Sequence, residues 1–260
     1  MSAGDRLLAR LGVGAAGLAL VSLALAMWLS ELNPPTGQST AGGSAIGFAM
    51  VVYMAVGGFL VYRRPRHLVG WLILSVGFFG GTNVLATEYA RYGLLTAPGS
   101  LPWASFWAWY GAWSFQPVTA APAFLLILYP DGRPPSRRWR PLAWLLAAAL
   151  LVTVAAYALE PQLELGQRSW NIRYPNPVGI AGSEHLMGSL NAVGSIAGLA
   201  GFLAALACVF ARYRRGGTTE RLQLKWFAYS AVAAIAVIFA LESVPCWATS
   251  PSASGSRFSR

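Results

Sequence analysis

Apolar and polar positions along this chain do not alternate at the period of a half-buried strand or a surface helix; they fall into blocks. Seven apolar blocks run at about Leu11–Leu29, Ala45–Tyr62, Leu68–Ala86, Trp103–Tyr129, Leu142–Leu159, Leu190–Ala211 and Leu224–Leu241, and apart from Lys225 at the edge of the last none holds an Asp, Glu, Lys or Arg. A helix needs about 20 mostly apolar residues to cross a bilayer, and a charge at mid-depth costs about 2.5–3.5 kcal/mol. Gly, Ser and Ala recur inside the blocks, as expected where helices pack closely in lipid. Alternating strands of about ten residues are absent, which argues against a β-barrel. The pattern predicts an all-α fold: a polytopic transmembrane helix bundle of about seven spans over residues 1–242, then a low-complexity, Ser-rich tail at 243–260.

Arg6 and Arg10 ahead of the first block imitate a signal peptide. The block is longer than an ordinary signal core, however, and Glu31-Leu32-Asn33-Pro34-Pro35 offers no small-residue cleavage site. It is read as a retained helix.

Composition agrees with the blocks. The 260 residues are 56% apolar and 11% charged, against about 45–50% and 25% in soluble domains, and the mean hydropathy is +0.51. A disordered chain and a soluble enzyme with a polar shell are both excluded. The net charge of +10 would suit nucleic acid only if the bases shared one folded surface. Instead they sit between blocks or at a block edge: Arg6 and Arg10; Arg63, Arg64 and Arg66; Arg133, Arg137, Arg138 and Arg140; Arg212, Arg214, Arg215, Arg221 and Lys225. These 14 bases fall on one side of a seven-span chain, and only Arg91, Arg168, Arg173, Arg257 and Arg260 fall on the other. The positive-inside rule then places the N-terminus in the cytoplasm and the C-terminus outside. The lipid bilayer is the expected partner, and nucleic acid is not.

Several motifs invite a functional reading. Gly12-Val13-Gly14-Ala15-Ala16-Gly17 matches a dinucleotide fingerprint, but it opens an apolar helix with no strand before it, so helix packing is the better account. Gly194, Gly198 and Gly201 make a small-residue face, suited equally to packing within one chain or to a homodimer. Cys208 and Cys246 fall at opposite membrane levels, as do His67 and His185, so neither an internal disulfide nor a metal site is expected. No cofactor is implied.

Trp103, Phe106, Trp107, Tyr110 and Trp113 recur at helical spacing in the outer half of the fourth block. They form either an aromatic belt facing lipid or one wall of a ligand site. Pro117 and Pro122 should kink this span. The wall reading takes Trp107, Tyr110 and Trp113, with Asn83 of the third block and Trp170 of the long segment 160–186. Thr82 and Glu88 are further polar anchors, although interhelical hydrogen bonding is an ordinary use for them.

Three loops carry a family likeness: Arg63-Arg64-Pro65-Arg66-His67-Leu68-Val69-Gly70-Trp71-Leu72, then Tyr129-Pro130-Asp131-Gly132-Arg133 with Arg137-Arg138-Trp139-Arg140-Pro141, and finally Glu220-Arg221-Leu222-Gln223-Leu224-Lys225-Trp226. In this order they resemble the N-terminal multi-pass membrane domain of actinobacterial sensor histidine kinases, over roughly residues 60–230. The resemblance implies a membrane-embedded sensory or input module in the cell membrane. It makes Asp131, Arg133, Arg137, Arg138, Glu220, Arg221, Gln223, Lys225 and Trp226 cytoplasmic signalling positions. In that family a helical hairpin returns the chain to the cytoplasm and a kinase core follows. Here Pro245-Cys246-Trp247-Ala248-Thr249-Ser250 and the Ser-rich tail do not resemble it, and His67 lacks the acidic neighbour of the family's phosphoacceptor. The expectation is a module without kinase output of its own, read by a separate kinase or a response-regulator pathway. A small transporter or channel subunit is the alternative, although the seven blocks hold no ionisable group at mid-depth. A membrane enzyme would need a nucleophile with its base, or a metal set, and neither is present in the blocks.

Overall fold

The chain enters its first apolar block under a capping box. The Ser2 hydroxyl accepts from the Asp5 amide at 3.2 Å, and the Asp5 carboxylate accepts from the Ser2 amide at 3.1 Å, so donors left over at a helix start are satisfied reciprocally. The computed structural model describes residues 2–33, 40–134, 136–165, 172–215 and 222. Its helices are α1 (Ala3–Leu32), α2 (Thr40–Arg63), α3 (Leu68–Arg91), α4 (Ala104–Ser114), α5 (Gln116–Leu128), α6 (Arg140–Leu159) and α7 (Glu184–Arg215). Among the described residues the protein is mostly helical, at 81%. Within those same described residues, five helical stretches are long and apolar enough to cross a membrane: Ala3–Leu32, Leu68–Thr96, Ala104–Leu128, Arg137–Leu159 and Glu184–Arg214; Gly47–Arg63 of α2 is a shorter apolar helix. The seventh block, Leu224–Leu241, and the Ser-rich tail lie outside the described residues.

Helix α3 is the centre of the bundle, packed against α1, α2, α4 and α5, while α6 and α7 pair with each other and join the rest mainly through α5. Small residues permit this. A Cβ on Gly57 of α2 would lie 2.4 Å from the Leu74 nitrogen of α3, and one on Gly77 of α3 would lie 2.7 Å from the Met54 nitrogen of α2. The two backbones touch where no side chain intervenes. Gly12 serves α1 in the same way against Val61, whereas Gly14 and Gly17 meet nothing within 4 Å among the described residues. Gly194 and Gly201 seat α7 on Thr153 and Leu146 of α6, so that part of the small-residue face is used within the chain. Large apolar side chains ring the outside instead, among them Leu18, Phe59, Ile196 and Leu203. So much exposed apolar surface is what a lipid-facing perimeter requires.

The structure departs from expectation in three places and sharpens it in a fourth. The kink expected in the fourth block is a break into two helices at Phe115; Pro117 stands in the first turn of α5 and has no N–H to extend the ladder of α4, while Pro122 lies inside α5. Helix α3 runs past Ala86 to Arg91 and then through a π turn, Tyr92–Thr96. Helix α7 begins at Glu184, six residues before its apolar block. The fold is also not purely α: the segment expected to be a long loop holds an antiparallel hairpin, β1 (Gln162–Leu165) with β2 (Ile172–Pro175), in which Leu163 faces Tyr174.

That hairpin is fastened to the end of α6. The last carbonyls of a helix have no intrahelical partner. Here the Ala158 carbonyl accepts from Trp109 Nε1 at 2.9 Å and from Asn176 Nδ2 at 3.0 Å, and the Glu160 carbonyl accepts from Asn176 Nδ2 at 2.6 Å. The Ile180 amide donates to the Leu159 carbonyl. Leu163 is thereby buried against Ala90 and Ala108, with Trp107 and Tyr174 packed around them.

Candidate functional site

Two clusters of sequence-predicted residues come together, at opposite ends of the bundle. The first lies between α3 and α4. Asn83 Nδ2 donates to the Gly111 carbonyl at 2.8 Å and to Ser114 Oγ at 2.9 Å. Thr82 Oγ1 and the Tyr110 hydroxyl share a hydrogen bond of 2.7 Å. The rings of Tyr89, Trp107, Tyr110, Trp113, Trp109 and Phe106 form a continuous chain, with neighbouring centroids 5.2 to 6.0 Å apart. Mostly tilted or edge-to-face pairs of this kind add about 0.5–1.5 kcal/mol each beyond their buried area.

The aromatic stripe therefore divides. Trp103 (78% exposed) and Phe106 (46%) face outward, as does Trp28 at the same end. Trp107, Tyr110 and Trp113 are half-buried: Trp107 packs around the hairpin cluster, Tyr110 meets Thr82 of α3, and Trp113 lies against Trp109 and Tyr110. The indole N–H of Trp113 is buried and has no acceptor among the described residues. A buried donor left this way costs about 1–3 kcal/mol, so its position calls for a partner. Trp170, the fifth residue of the predicted wall, lies outside the described residues.

The second cluster is at the basic end, where the chain start, the α2–α3 turn and the loop after α5 meet. Arg66 Nε pairs with Asp5 Oδ1 at 2.9 Å, so the first helix and the second turn lie at one level. The partly exposed Asp5 carboxyl, ahead of the apolar run that begins at Leu11, sits below its ordinary range; the Ser2 side-chain and backbone hydrogen bonds are the main cause, and Arg66 helps. Asp131 and Gly132 make the turn after α5, with Gly132 at a φ of 72° that a side chain would strain, close against Leu68. Arg212 of α7 donates to the Tyr129 carbonyl and pairs with Asp131 at 3.7 Å.

An open groove of about 610 Å³ results, lined by Asp5, Arg63, Arg64, Arg66, His67, Asp131 and Arg133 among others. Of the predicted signalling positions, Asp131 and Arg133 line this groove. Arg137 and Arg138 do not; they stand exposed on the 3₁₀ turn Arg137–Trp139 that leads into α6. Glu220, Arg221, Gln223, Lys225 and Trp226 lie outside the described residues.

Sequence reasoning missed a third constellation, where α1 ends beside α3. Asn33 Nδ2 donates to Glu88 Oε2 at 2.7 Å, Thr96 Oγ1 donates to Asn33 Oδ1 at 2.7 Å, and Arg91 pairs with Glu88 at 3.4 Å. Asn33 and Arg91 are both buried. The i, i+3 spacing of Glu88 and Arg91 was the available signal. It also missed a cleft of about 290 Å³ between α5, α6 and α7, where Gln116, Thr119, Thr153 and Ser195 stand among apolar neighbours.

No protein-family model, no curated protein and no solved structure matches the chain.

Proposed function

We propose that this chain is a membrane-embedded sensory or input module, of the kind its loops resemble in sensor histidine kinases, with no kinase chemistry of its own. It crosses the cell membrane seven times, the seventh at Leu224–Leu241, with the basic end and the N-terminus in the cytoplasm. The observation that supports this reading is the broken span α4–α5. Its outer half carries the Trp107, Tyr110 and Trp113 cluster with the unpartnered indole N–H, and its other end runs directly into the Asp131–Arg133 turn held by Arg212 of α7.

A ligand with an apolar body and one hydrogen-bond acceptor would engage Trp113 Nε1 and displace α4 against α3. Because α5 follows α4 without a loop, the displacement would reach the α5–α7 contact at the cytoplasmic face. A separate kinase or response-regulator pathway would read it there, with a homodimer as one way of passing it on.

The test uses the full chain in nanodiscs, with cysteine placed at Arg133 and the two native cysteines replaced. Trp113→Phe and Tyr110→Phe should alter the maleimide reactivity at position 133 several-fold, although both sites are far along the helix. Indifference of position 133 to both variants would refute the coupling.

A small transporter or channel subunit is the second reading, and the polar-lined cleft between α5, α6 and α7 favours it. Solute or ion flux into proteoliposomes holding the purified chain would establish that reading in place of the first.

A further inference from the structure

We propose that the groove at the basic end is a binding site for the phosphate of an anionic phospholipid, an inference that rests on the membrane-spanning reading above. Three features of the groove converge on such a group. The first is charge without a counter-ion. Arg66 is paired with Asp5, and Asp131 with Arg212, but no ion pair among the described residues engages Arg63, Arg64 or Arg133. Both acids in the lining are thus already neutralised, and the remaining guanidinium groups set the sign of the groove. Guanidinium forks match phosphate oxygens in pairs, which makes Arg the side chain suited to such a ligand.

The second feature is the start of α3. Leu68 is its first residue and lines the groove, and no side chain caps this helix start. The first amides of α3 and the positive end of its dipole therefore lie beside the three arginines. Gly132 holds the loop after α5 against Leu68, which fixes Arg133 next to this helix start.

The third feature separates a lipid from a soluble anion. The groove borders an apolar surface: Phe59, Tyr62 and Leu68 are all exposed, and the Arg63 guanidinium stacks over the Phe59 ring at 5.4 Å. A headgroup phosphate could rest among the arginines while its acyl chains lie along Phe59 and Leu68. Free phosphate would gain nothing from that surface.

The experiment compares two double variants of the full chain in phosphatidylcholine nanodiscs doped with phosphatidylglycerol. Arg64→Ala with Arg133→Ala removes two of the three groove arginines that no ion pair among the described residues engages, while Arg137→Ala with Arg138→Ala removes equal charge from the same face outside it. All four side chains are exposed, and none makes a hydrogen bond or ion pair with a described residue, so both variants should fold, which a thermal melt checks. Native mass spectrometry counts the phosphatidylglycerol retained on the released protein. The groove variant should lose about tenfold in affinity, and the control should stay within about twofold.

Equal loss from both variants would overturn the site in favour of diffuse surface attraction. Displacement of the lipid by millimolar inorganic phosphate would overturn it in favour of a soluble anion. Release of the chain from membranes by an alkaline wash would instead bring down the spanning reading beneath it, and that is read separately.

Discussion

Gly57→Ala adds one methyl group where α2 meets α3, and the structure gives it nowhere to go. The new Cβ would lie 2.4 Å from the Leu74 nitrogen, 2.5 Å from its Cα and 2.9 Å from its Cβ, whereas ordinary contact begins near 3.4 Å. Backbone cannot rotate aside as a flexible side chain can, so the helices must part by about 1 Å. A gap of that size forfeits a quarter to a half of each dispersion contact along the seam, and overpacking of this sort costs about 1–3 kcal/mol. Gly14→Ala is the matched control. It adds the same methyl on exposed α1, with nothing within 4 Å among the described residues, and should gain about 0.5–1 kcal/mol from helix preference alone. Gly57→Ala carries the same helix preference, so the two variants should differ by the overpacking cost of about 1–3 kcal/mol, about fivefold or more in the folded-to-unfolded ratio. Reversible denaturation in mixed micelles, followed by tryptophan fluorescence, measures the difference. Equal stability of the two variants would refute the close α2–α3 approach.

Four further outcomes are expected. Glu88→Ala leaves the buried Arg91 without this carboxylate and Asn33 Nδ2 with the backbone carbonyl of position 88 in place of two acceptors on that residue, and should destabilise by about 3 kcal/mol, with Glu88→Gln milder, in the same denaturation assay. Asn176→Ala removes the donor to the Ala158 and Glu160 carbonyls and should cost about 1–3 kcal/mol, read as faster proteolysis within the hairpin while the helices stay intact. The Asp5–Arg66 contact holds at pH values above the ordinary carboxyl value of 3.8 and is lost as pH falls through the lowered folded value; Asp5→Asn should remove this part of the acid limb in thermal melts, and an unchanged limb would argue against it. An alkaline phosphatase fused after Arg260 should be active and a cytoplasmic reporter there silent, and the reverse result would mean that a span is miscounted.

Block boundaries were legible where lipid alone decides them. Leu68 begins α3 and Leu159 ends α6 as the apolar pattern requires, because a charge there has no tolerable place in the bilayer. The extension of α3 was not legible by that criterion. Glu88 and Arg91 halt an apolar count, yet in the fold they answer each other and Asn33, so the helix continues beyond Ala86. The hairpin was missed because its strands are four residues each, too short for alternation to register, and Asn176 holds it through contacts remote in sequence. Helical spacing identified Trp107, Tyr110 and Trp113 as neighbours but not the direction they face. That direction depends on the break at Phe115 and on where α3 stands. The groove was visible only as separate arginines until the Asp5–Arg66 pair and the Gly132 turn joined three loops.

The central position of α3 bears on how such a chain is made. A ribosome delivers helices one at a time, and each must find partners already in the bilayer. Here α2 and α3 can close on α1 before any later helix exists, since all three pack on one another. Helices α4 and α5 then arrive at a surface of α3 already in place, and α6 and α7 dock last, chiefly through α5. Order of synthesis thus matches order of packing, and no early helix waits long with its polar groups facing lipid. A defect in the Gly57–Gly77 seam would strike this sequence at its first step, so its harm in a living cell should appear first as loss of inserted protein.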